Sequence, residues 1–317
     1  MRTPESGMSN NNAFAQDSGF EFVEGHADLA PTIDEAADPY ERYVGICDVL
    51  SPEEARAMAS EVREYRKDPN RKVMVGIMAG HFTLRPDAAG GEGQRVVFPS
   101  REEMANGFTD DPDVLNTVHF ADLYRPQEVQ TLFEDLELVV EYGGKHLHAI
   151  QLDVTWPAVD DVDRFKDKHP DLTVVLQLGQ SAFDMVDHDP QRMVDELDKY
   201  GDSIDYVLLD LSMGKGKAMQ GEELLSALRA IRHELPGLGL AVAGGLGPDT
   251  MHLLEPIAQE FPDISIDAQG RLKHPDAPVD DRGHMVSTIS ADLDRSQEYI
   301  RKSCAMLDGS NGGVTYE

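Results

Sequence analysis

The chain has 317 residues, of which 40% are apolar, and its 28 basic side chains stand against 59 acidic ones, for a net charge of -31. The apolar share supports a full core, whereas the acidity argues against a nucleic-acid partner, because phosphate backbones are bound by basic faces. Mean hydropathy is -0.40, and no apolar run approaches the roughly 18 to 20 residues of a membrane helix.

The strong acidity has two explanations. One is a disordered acidic chain, and the other is a folded protein with an acidic, lysine-poor surface of the kind found in salt-adapted organisms. The apolar runs described below argue against disorder and so favour the folded, salt-adapted protein. Such a protein tolerates its net charge because about 1 M salt shortens the Debye length to roughly 3 Å and screens the self-repulsion. Two cysteines and no signal-peptide pattern predict a cytoplasmic location.

The chain divides into three predicted parts. Residues 1–40 mix Asn, Ser, Asp, Pro and Gly without a sustained period, which predicts a flexible acidic extension. Residues 41–308 alternate short β-branched runs with stretches of helical period, and residues 309–317 form a tail. The predicted strands are residues 43–47, 73–78, 115–120, 148–153, 173–178, 204–210, 239–243 and 264–267.

The segments between the strands carry helix signals. Ser51 is a predicted N-cap, followed by proline at the first helical position and by Glu54 as the partner of a capping box. A second helix is predicted to end at Gly143 and Gly144. Two further helices show apolar stripes, one of Leu224, Leu225, Leu228, Ile231 and Leu235 and one of Ile289, Leu293, Ile300, Cys304 and Leu307.

Eight strands alternating with helices predict an α/β protein of the (β/α)8 barrel type, a TIM barrel, with an N-terminal extension and loop insertions. A doubly wound open sheet is the structural alternative, and it is disfavoured because no G-x-G-x-x-G follows the first strand. Residues 80–113 and 268–288 are too long for simple connections. Such insertions are typical of lids, binding loops or partner surfaces.

Two reactive side chains end predicted strands far apart in the chain, Cys47 and Asp210. In one parallel barrel both would face the pocket at the C-terminal mouth. Cys47 can act as a base there if nearby positive charge lowers its pKa, and Asp210 can act as an acid. The alternatives are a small buried hydrophobic residue for Cys47 and a turn or helix cap for Asp210.

Glycine-rich turns follow the last three predicted strands. Gly214 and Gly216 follow the sixth strand, Gly244 and Gly245 the seventh, and Gly270 the eighth. Glycines at strand ends let backbone N–H groups approach a phosphate closely, and barrels often bind phosphate after strands seven and eight. The alternative for each is an ordinary turn. Arg271, next to Gly270, adds a positive charge.

We predict no metal site, because the eleven histidines lack the spacing of metal ligands. Three of them, His81, His119 and His148, lie in or beside predicted strands. We expect hydrogen-bonded core or supporting roles for these three side chains rather than metal ligation.

Five short motifs, in order over about residues 43–308, resemble phosphoribosylanthranilate isomerase, a small enzyme of the ribulose-phosphate-binding barrels. Residues 45–48 read G-I-C-D for the family's K-I-C-G, and 150–154 read I-Q-L-D-V for its V-Q-L-H-G. Residues 208–210 match L-L-D, 242–248 match L-A-G-G-L with a following proline, and 266–270 loosely match V-D-x-S-S-G.

The resemblance implies an Amadori-type aldose–ketose isomerisation of a phosphorylated sugar without a cofactor. It implies that Cys47 is the general base and Asp210 the general acid. Gly244, Gly245 and Gly270 would form the phosphate cradle. The partners expected are a phosphorylated small molecule and a second copy of the chain in a homodimer, but neither nucleic acid nor membrane.

The chain departs from the family pattern at its substrate end. Gly45 replaces the lysine, Asp153 replaces the histidine beside Gln151, and the family's S-P-R has no clear equivalent, although Arg85 and Arg101 are candidates. These changes suggest a different phosphorylated ligand, held by these residues and Arg271. Two alternatives stay open, namely a non-catalytic phosphate-ligand-binding barrel and a related sugar-phosphate epimerase or lyase.

Overall fold

The computed structural model describes residues 41–121, 131–210, 221–280, 283 and 285–309. Eight parallel strands pair in chain order, and the eighth pairs with the first, so that the sheet closes into a barrel. The predicted (β/α)8 barrel is therefore confirmed. The strands are β1 Tyr43–Cys47, β2 Lys72–Ala79, β3 Val114–Ala121, β4 Ala149–Asp153, β5 Thr173–Gly179, β6 Tyr206–Asp210, β7 Gly239–Ala243 and β8 Ser265–Ala268.

The described helices lie between these strands and after β8. They are α1 Pro52–Tyr65, α2 His81–Leu84, α3 Glu92–Val97, α4 Leu132–Gly143, α5 Val159–Lys168, α6 Gln180–Met185, α7 Pro190–Leu197, α8 Gly221–Glu234, α9 Glu255–Glu260 and α10 Leu293–Leu307. No helix in these ranges is long and apolar enough to cross a membrane. The boundaries predicted at residues 40 and 308 stay predictions, because residues 1–40 and 310–317 lie outside the described part.

Two helix predictions need correction. Ser51 Oγ does accept a hydrogen bond from Glu54 N at 3.2 Å, but the Glu54 carboxylate accepts from Ser290 Oγ at 2.7 Å instead of completing the capping box. The last apolar stripe begins at Leu293 and not at Ile289. Asp292 caps α10 by accepting from Arg295 N at 3.0 Å, so the helix starts after it and Ile289 stays 39% exposed.

The barrel interior has two layers of different chemistry. Side chains at its N-terminal end and centre form an apolar cluster together with Ala243, the last residue of β7. They are Tyr43, Met74, Val175, Tyr206, Leu208 and Ala241. Nearer the C-terminal ends of the strands the buried side chains are polar, namely His119, Gln151, Gln177 and Asp267. Because buried polar groups cost stability unless they are hydrogen-bonded, this layer marks the end of the barrel where function is expected.

The two insertions pack together over one side of this end. Val97 and Phe98 of the first insertion and Val286 of the second form a small apolar cluster with Cys47, Met78 and Ala121. Ser287 N donates a hydrogen bond of 2.7 Å to Val97 O, which joins the two insertions directly. The ends of β1, β2 and β3 therefore lie beneath a cover that both insertions build.

The opposite end of the barrel contains a buried ion pair. Arg71 Nε donates to Asp308 Oδ1 at 2.8 Å, and both side chains are 1% exposed. Asp308 also accepts from Lys67 N at 2.9 Å, and Arg71 donates to Ile264 O at 3.3 Å. The pair thus connects the start of β2, the approach to β8 and the end of α10.

We expect Asp308→Asn to lower the free energy of unfolding by about 3 kcal/mol, because it leaves the buried Arg71 guanidinium without its counter-ion. Urea denaturation at fixed salt measures the change. The control is Glu196→Gln, which removes an exposed pair with Lys199 and should cost under about 1 kcal/mol. Equal losses for the two variants would contradict the structural importance of the Arg71 pair.

Candidate active site at the barrel mouth

Cys47 ends β1 beneath the cover and is 2% exposed. Its Sγ lies 3.6 Å from Met78 Sδ and 3.6 Å from His119 Nδ1. The neighbouring strand carries Gly76 beside the sulfur, where an added Cβ would lie 3.2 Å from Sγ. The thiol therefore occupies a space that a glycine leaves open, in hydrogen-bond reach of an imidazole nitrogen.

His119 lies on β3, two residues before the strand ends, and is 7% exposed. Its Nε2 is 3.7 Å from Asp153 Oδ2 and has no hydrogen-bond partner. Burial disfavours the imidazolium form, but the nearby carboxylates, Asp153 above all, outweigh burial, so the pKa of His119 is raised. His119 is therefore a buried histidine with one ring nitrogen in contact with Cys47 and the other without a hydrogen bond, and its expected core or supporting role stays a prediction.

The carboxylate of Asp267 on β8 occupies the centre of the polar layer. Its Oδ2 accepts from Gln151 Nε2 at 3.1 Å, and its Oδ1 accepts from Ala268 N at 2.9 Å. An added Cβ at Gly45 would lie 2.5 Å from Oδ1. A side chain at position 45 would therefore collide with Asp267, so this arrangement requires glycine at position 45.

Asp267 also links the two predicted catalytic residues electrostatically. Burial raises the pKa of Asp267, and the nearby Asp210 contributes to the rise, while His119 opposes it. Asp267 in turn raises the pKa of Cys47. Cys47 and Asp210 thus lie at the ends of β1 and β6 with one buried carboxylate close enough to act on both.

The pKa of Cys47 is not lowered, as catalysis by a resting thiolate would require. Burial raises the pKa of the thiol well above its ordinary value, Asp48 and Asp267 raise it further, and Lys273 opposes the rise without cancelling it. A pKa lowered by nearby positive charge is the expected condition for a base role, and the resting protein does not meet it. A base role for Cys47 requires a group that takes its proton.

Asp48 follows Cys47 in a left-handed backbone conformation, with φ of 67°. The family motif has glycine here, the residue that tolerates this conformation best. The buried Asp48 carboxylate lies 3.0 Å from Lys273 Nζ and accepts from Gln269 Nε2 at 3.0 Å. The strained turn is thus held by an ion pair with the second insertion.

The glycine turns after β7 and β8 meet. Gly244 and Gly245 have φ of 133° and 66°, conformations that side chains other than glycine disfavour. An added Cβ at Gly247 would lie 2.7 Å from Arg271 Cβ, so the β7 turn packs against the residue after Gly270. The Arg271 side chain is exposed. Gly214 and Gly216 lie outside the described residues, and the phosphate-binding role of these glycines stays a prediction.

The four other predicted substrate-binding residues differ in their location. Gln151 is buried in the polar layer and donates to Gln177 Oε1 at 2.8 Å, whereas the Asp153 side chain is 33% exposed at the end of β4. Arg85 donates to the buried Asp135 of α4 at 2.6 Å, and Arg101 donates to Leu84 O at 3.0 Å. Only Gln151 and Asp153 of these four contact the polar layer, and the binding roles of all four stay predictions.

Two further features near the mouth do not form the candidate site. Among the described residues no group of three or more His, Cys, Asp or Glu side chains could hold a metal ion. A cleft of about 280 Å³ lies within the first insertion, lined by residues such as Phe82, Arg95 and Phe98 and by Thr288. Its lining includes neither Cys47 nor Asp210, so the cleft is separate from the strand ends that carry the chemistry.

Comparisons with known proteins identify the class to which the fold belongs. No protein-family model matches the sequence, and no curated protein matches it. The α subunit of tryptophan synthase from Legionella pneumophila str. Paris is similar over 86% of this chain and 95% of that one, with 16% identity and a TM-score of 0.50. Triosephosphate isomerase from Bartonella henselae covers 73% of this chain and 93% of its own length, with 12% identity and a TM-score of 0.40. At 16% identity, the likeness to the tryptophan synthase subunit shows the TIM-barrel fold alone.

We expect Asp267→Asn to raise the free energy of unfolding at neutral pH but not below about pH 4. Because the folded-state pKa of Asp267 is raised, the native protein holds this proton longer than the unfolded chain. The contribution of Asp267 to the free energy of unfolding therefore falls as pH rises from the pKa of Asp267 in the unfolded chain to its higher pKa in the folded protein. Asparagine does not ionise, so the variant does not undergo this fall. Urea denaturation across this pH range measures the difference, with the exposed Asp171→Asn as control. A difference that does not grow with pH would contradict the prediction.

Proposed function

We propose that the protein is an isomerase that converts a phosphorylated aminoaldose into the ketose by an Amadori-type rearrangement, with Asp210 as general acid and Cys47 as general base. The observation that supports this most is their common position at the C-terminal ends of β6 and β1, where Asp267 acts on both. Catalytic groups of TIM barrels come from the ends of different strands in this way.

In the proposed reaction, protonated Asp210 gives its proton to the ring oxygen of the sugar, and the bond between that oxygen and C1 breaks. The open-chain iminium that results has an acidic proton on C2. Cys47 as thiolate removes this proton, and the electron pair of the C–H bond forms the enolamine, which tautomerises to the ketone. One proton enters the substrate and one leaves, so substrate and product are isomers and no redox cofactor is needed.

Different residues would bind the phosphate of the ligand and its remaining half. The left-handed Gly244 and Gly245 and the adjoining Gly270 turn suit a phosphate, because such backbones expose N–H groups to an anion. The other half would meet Asp153 and Gln151. A carboxylate beside Asp153 would be repelled, which supports a ligand whose non-phosphate half is neutral or positively charged.

The buried state of Cys47 favours a second candidate function. The thiol is 2% exposed beneath Val97 and Phe98, and burial raises its pKa. A barrel that binds a phosphorylated ligand without turning it over would tolerate such a thiol. Binding without turnover would support this alternative.

We expect ribose 5-phosphate to raise the melting temperature and ribose to leave it unchanged, because a ligand that binds only the folded state stabilises it. The variant Gly245→Ala should abolish the shift. Gly144→Ala is the matched control, since Gly144 has φ of 64° against 66° for Gly245 and has open space around its Cα. Both variants should unfold about 1 kcal/mol more easily, but only the first should lose the ligand response. Equal responses would exclude the proposed phosphate cradle.

We expect Cys47→Ala and Asp210→Asn each to lower kcat about 10²-fold to 10⁴-fold on N-substituted 5-phosphoribosylamines, because each removes one proton-transfer group. Cys304→Ala and Asp171→Asn are the controls and should keep parental turnover. Absorbance or mass-resolved chromatography with an acid quench follows product formation. Full turnover by both site variants would exclude the assignment.

A further inference from the structure

A row of three side chains runs across the barrel mouth from β1 to β4. Cys47 Sγ lies 3.6 Å from His119 Nδ1, and His119 Nε2 lies 3.7 Å from Asp153 Oδ2. Cys47 and His119 are more than nine-tenths buried, and Asp153 is partly exposed at the other end of the row. The imidazole therefore stands between a buried thiol and a carboxylate that reaches solvent.

We propose that His119 is the proton acceptor that turns the Cys47 thiol into the base, and that Asp153 is a positioning residue that orients the His119 ring for this transfer. The inference rests on the proposed function, in which Cys47 removes a proton from carbon. His119 lies outside the motifs on which the resemblance rests, and Asp153 stands where the similar motif has histidine.

In the transfer, the proton leaves Cys47 Sγ and binds His119 Nδ1, while the electron pair of the S–H bond stays on sulfur. The neutral thiol and imidazole become a thiolate and an imidazolium, so the net charge of the pair does not change. When the thiolate takes the substrate proton, the S–H bond forms again. His119 then releases its extra proton to water, and Asp210 takes one from water, which restores the starting state.

Two features of the row select His119 Nδ1 as the acceptor. Met78 Sδ is equally close to Cys47 Sγ at 3.6 Å, but a thioether accepts protons far more weakly than an imidazole nitrogen. On the other side of the ring, Nε2 is buried, has no hydrogen-bond partner and faces Asp153. A proton on Nε2 is therefore favoured by the carboxylate, which leaves the lone pair of Nδ1 directed toward the sulfur.

The surrounding charges favour a cation on His119 over an isolated anion on Cys47. The groups that face His119 are Cys47 and Asp48 from β1 and the turn after it, Asp153 from β4 and Asp267 from β8. These carboxylates raise the pKa of His119, and two of them also raise the pKa of Cys47, which only Lys273 opposes among its charged neighbours. The thiolate is thus accessible as a partner of imidazolium rather than alone.

The experiment measures the alkylation rate of Cys47 by iodoacetamide against pH, in a Cys304→Ala background so that one thiol reacts. We expect reactivity to rise with the titration of His119, whose pKa is raised. His119→Asn should remove that step and slow alkylation about tenfold near pH 8, and Asp153→Asn should slow it about threefold. His148→Asn, at the other end of the barrel, should match the parent. An unchanged rate and pH profile in His119→Asn would overturn the inference.

A second measurement needs no variant at His119. In the parent, nitrogen chemical shifts of a ¹⁵N-histidine-labelled sample report which ring nitrogen carries hydrogen, and Nε2–H above the titration step is the expected result. Neutral His119 with its hydrogen on Nδ1 would overturn the inference. Neither measurement uses a sugar phosphate, so a protein that shows the coupled thiol but no isomerisation would contradict the proposed function and leave the Cys47–His119 couple standing.

Discussion

The arrangement of the barrel mouth depends on the burial of the Asp267 carboxylate. This carboxylate stands in the space that Gly45 leaves open and is held by Gln151 and by its own strand. A carboxylate in this position costs stability, because its charged form loses water. Its field acts on the cysteine of β1, the histidine of β3 and the aspartate of β6. Buried carboxylates with a raised pKa often occur at functional sites.

The mouth is asymmetric, and the asymmetry matches the two roles proposed for it. On the β1–β3 side the insertions cover Cys47 with Val97 and Phe98, which keeps the thiol in a dry environment. On the β4 side, Asp153 is 33% exposed. A thiolate without water around it is a stronger base, which suits the covered side, and groups that exchange protons with solvent suit the exposed one.

Much of the fold could be predicted from local sequence, because each barrel strand is a short apolar run and this signal needs no knowledge of partners. The strand 43–47 was predicted to the residue. The end of a helix depends on its cap, so Ile289, which continues the apolar spacing of α10, was wrongly included before the Asp292 cap. The contact between His119 and Cys47 is a different case, because local sequence does not show it. The distance between the two residues is set by the register of β1 with β2 and of β2 with β3, where Met78 pairs with His119.

The differences between this chain and the similar motifs at residues 45, 48 and 153 are each accompanied by a residue from another element of the barrel mouth. Gly45 stands where the similar motif has lysine, and Asp267 fills the space it leaves. Asp48 stands where that motif has glycine, and its strained backbone is held by Lys273. The positive charge near the thiol therefore comes from the second insertion instead of from the strand. Likewise Asp153 of β4 stands where the similar motif has histidine, and the neighbouring β3 carries His119, whose Nε2 lies 3.7 Å from Asp153 Oδ2. If the proposed chemistry holds, the same needs for charge and proton transfer are met from different elements. A comparison confined to matching positions would then understate how far the site can support catalysis.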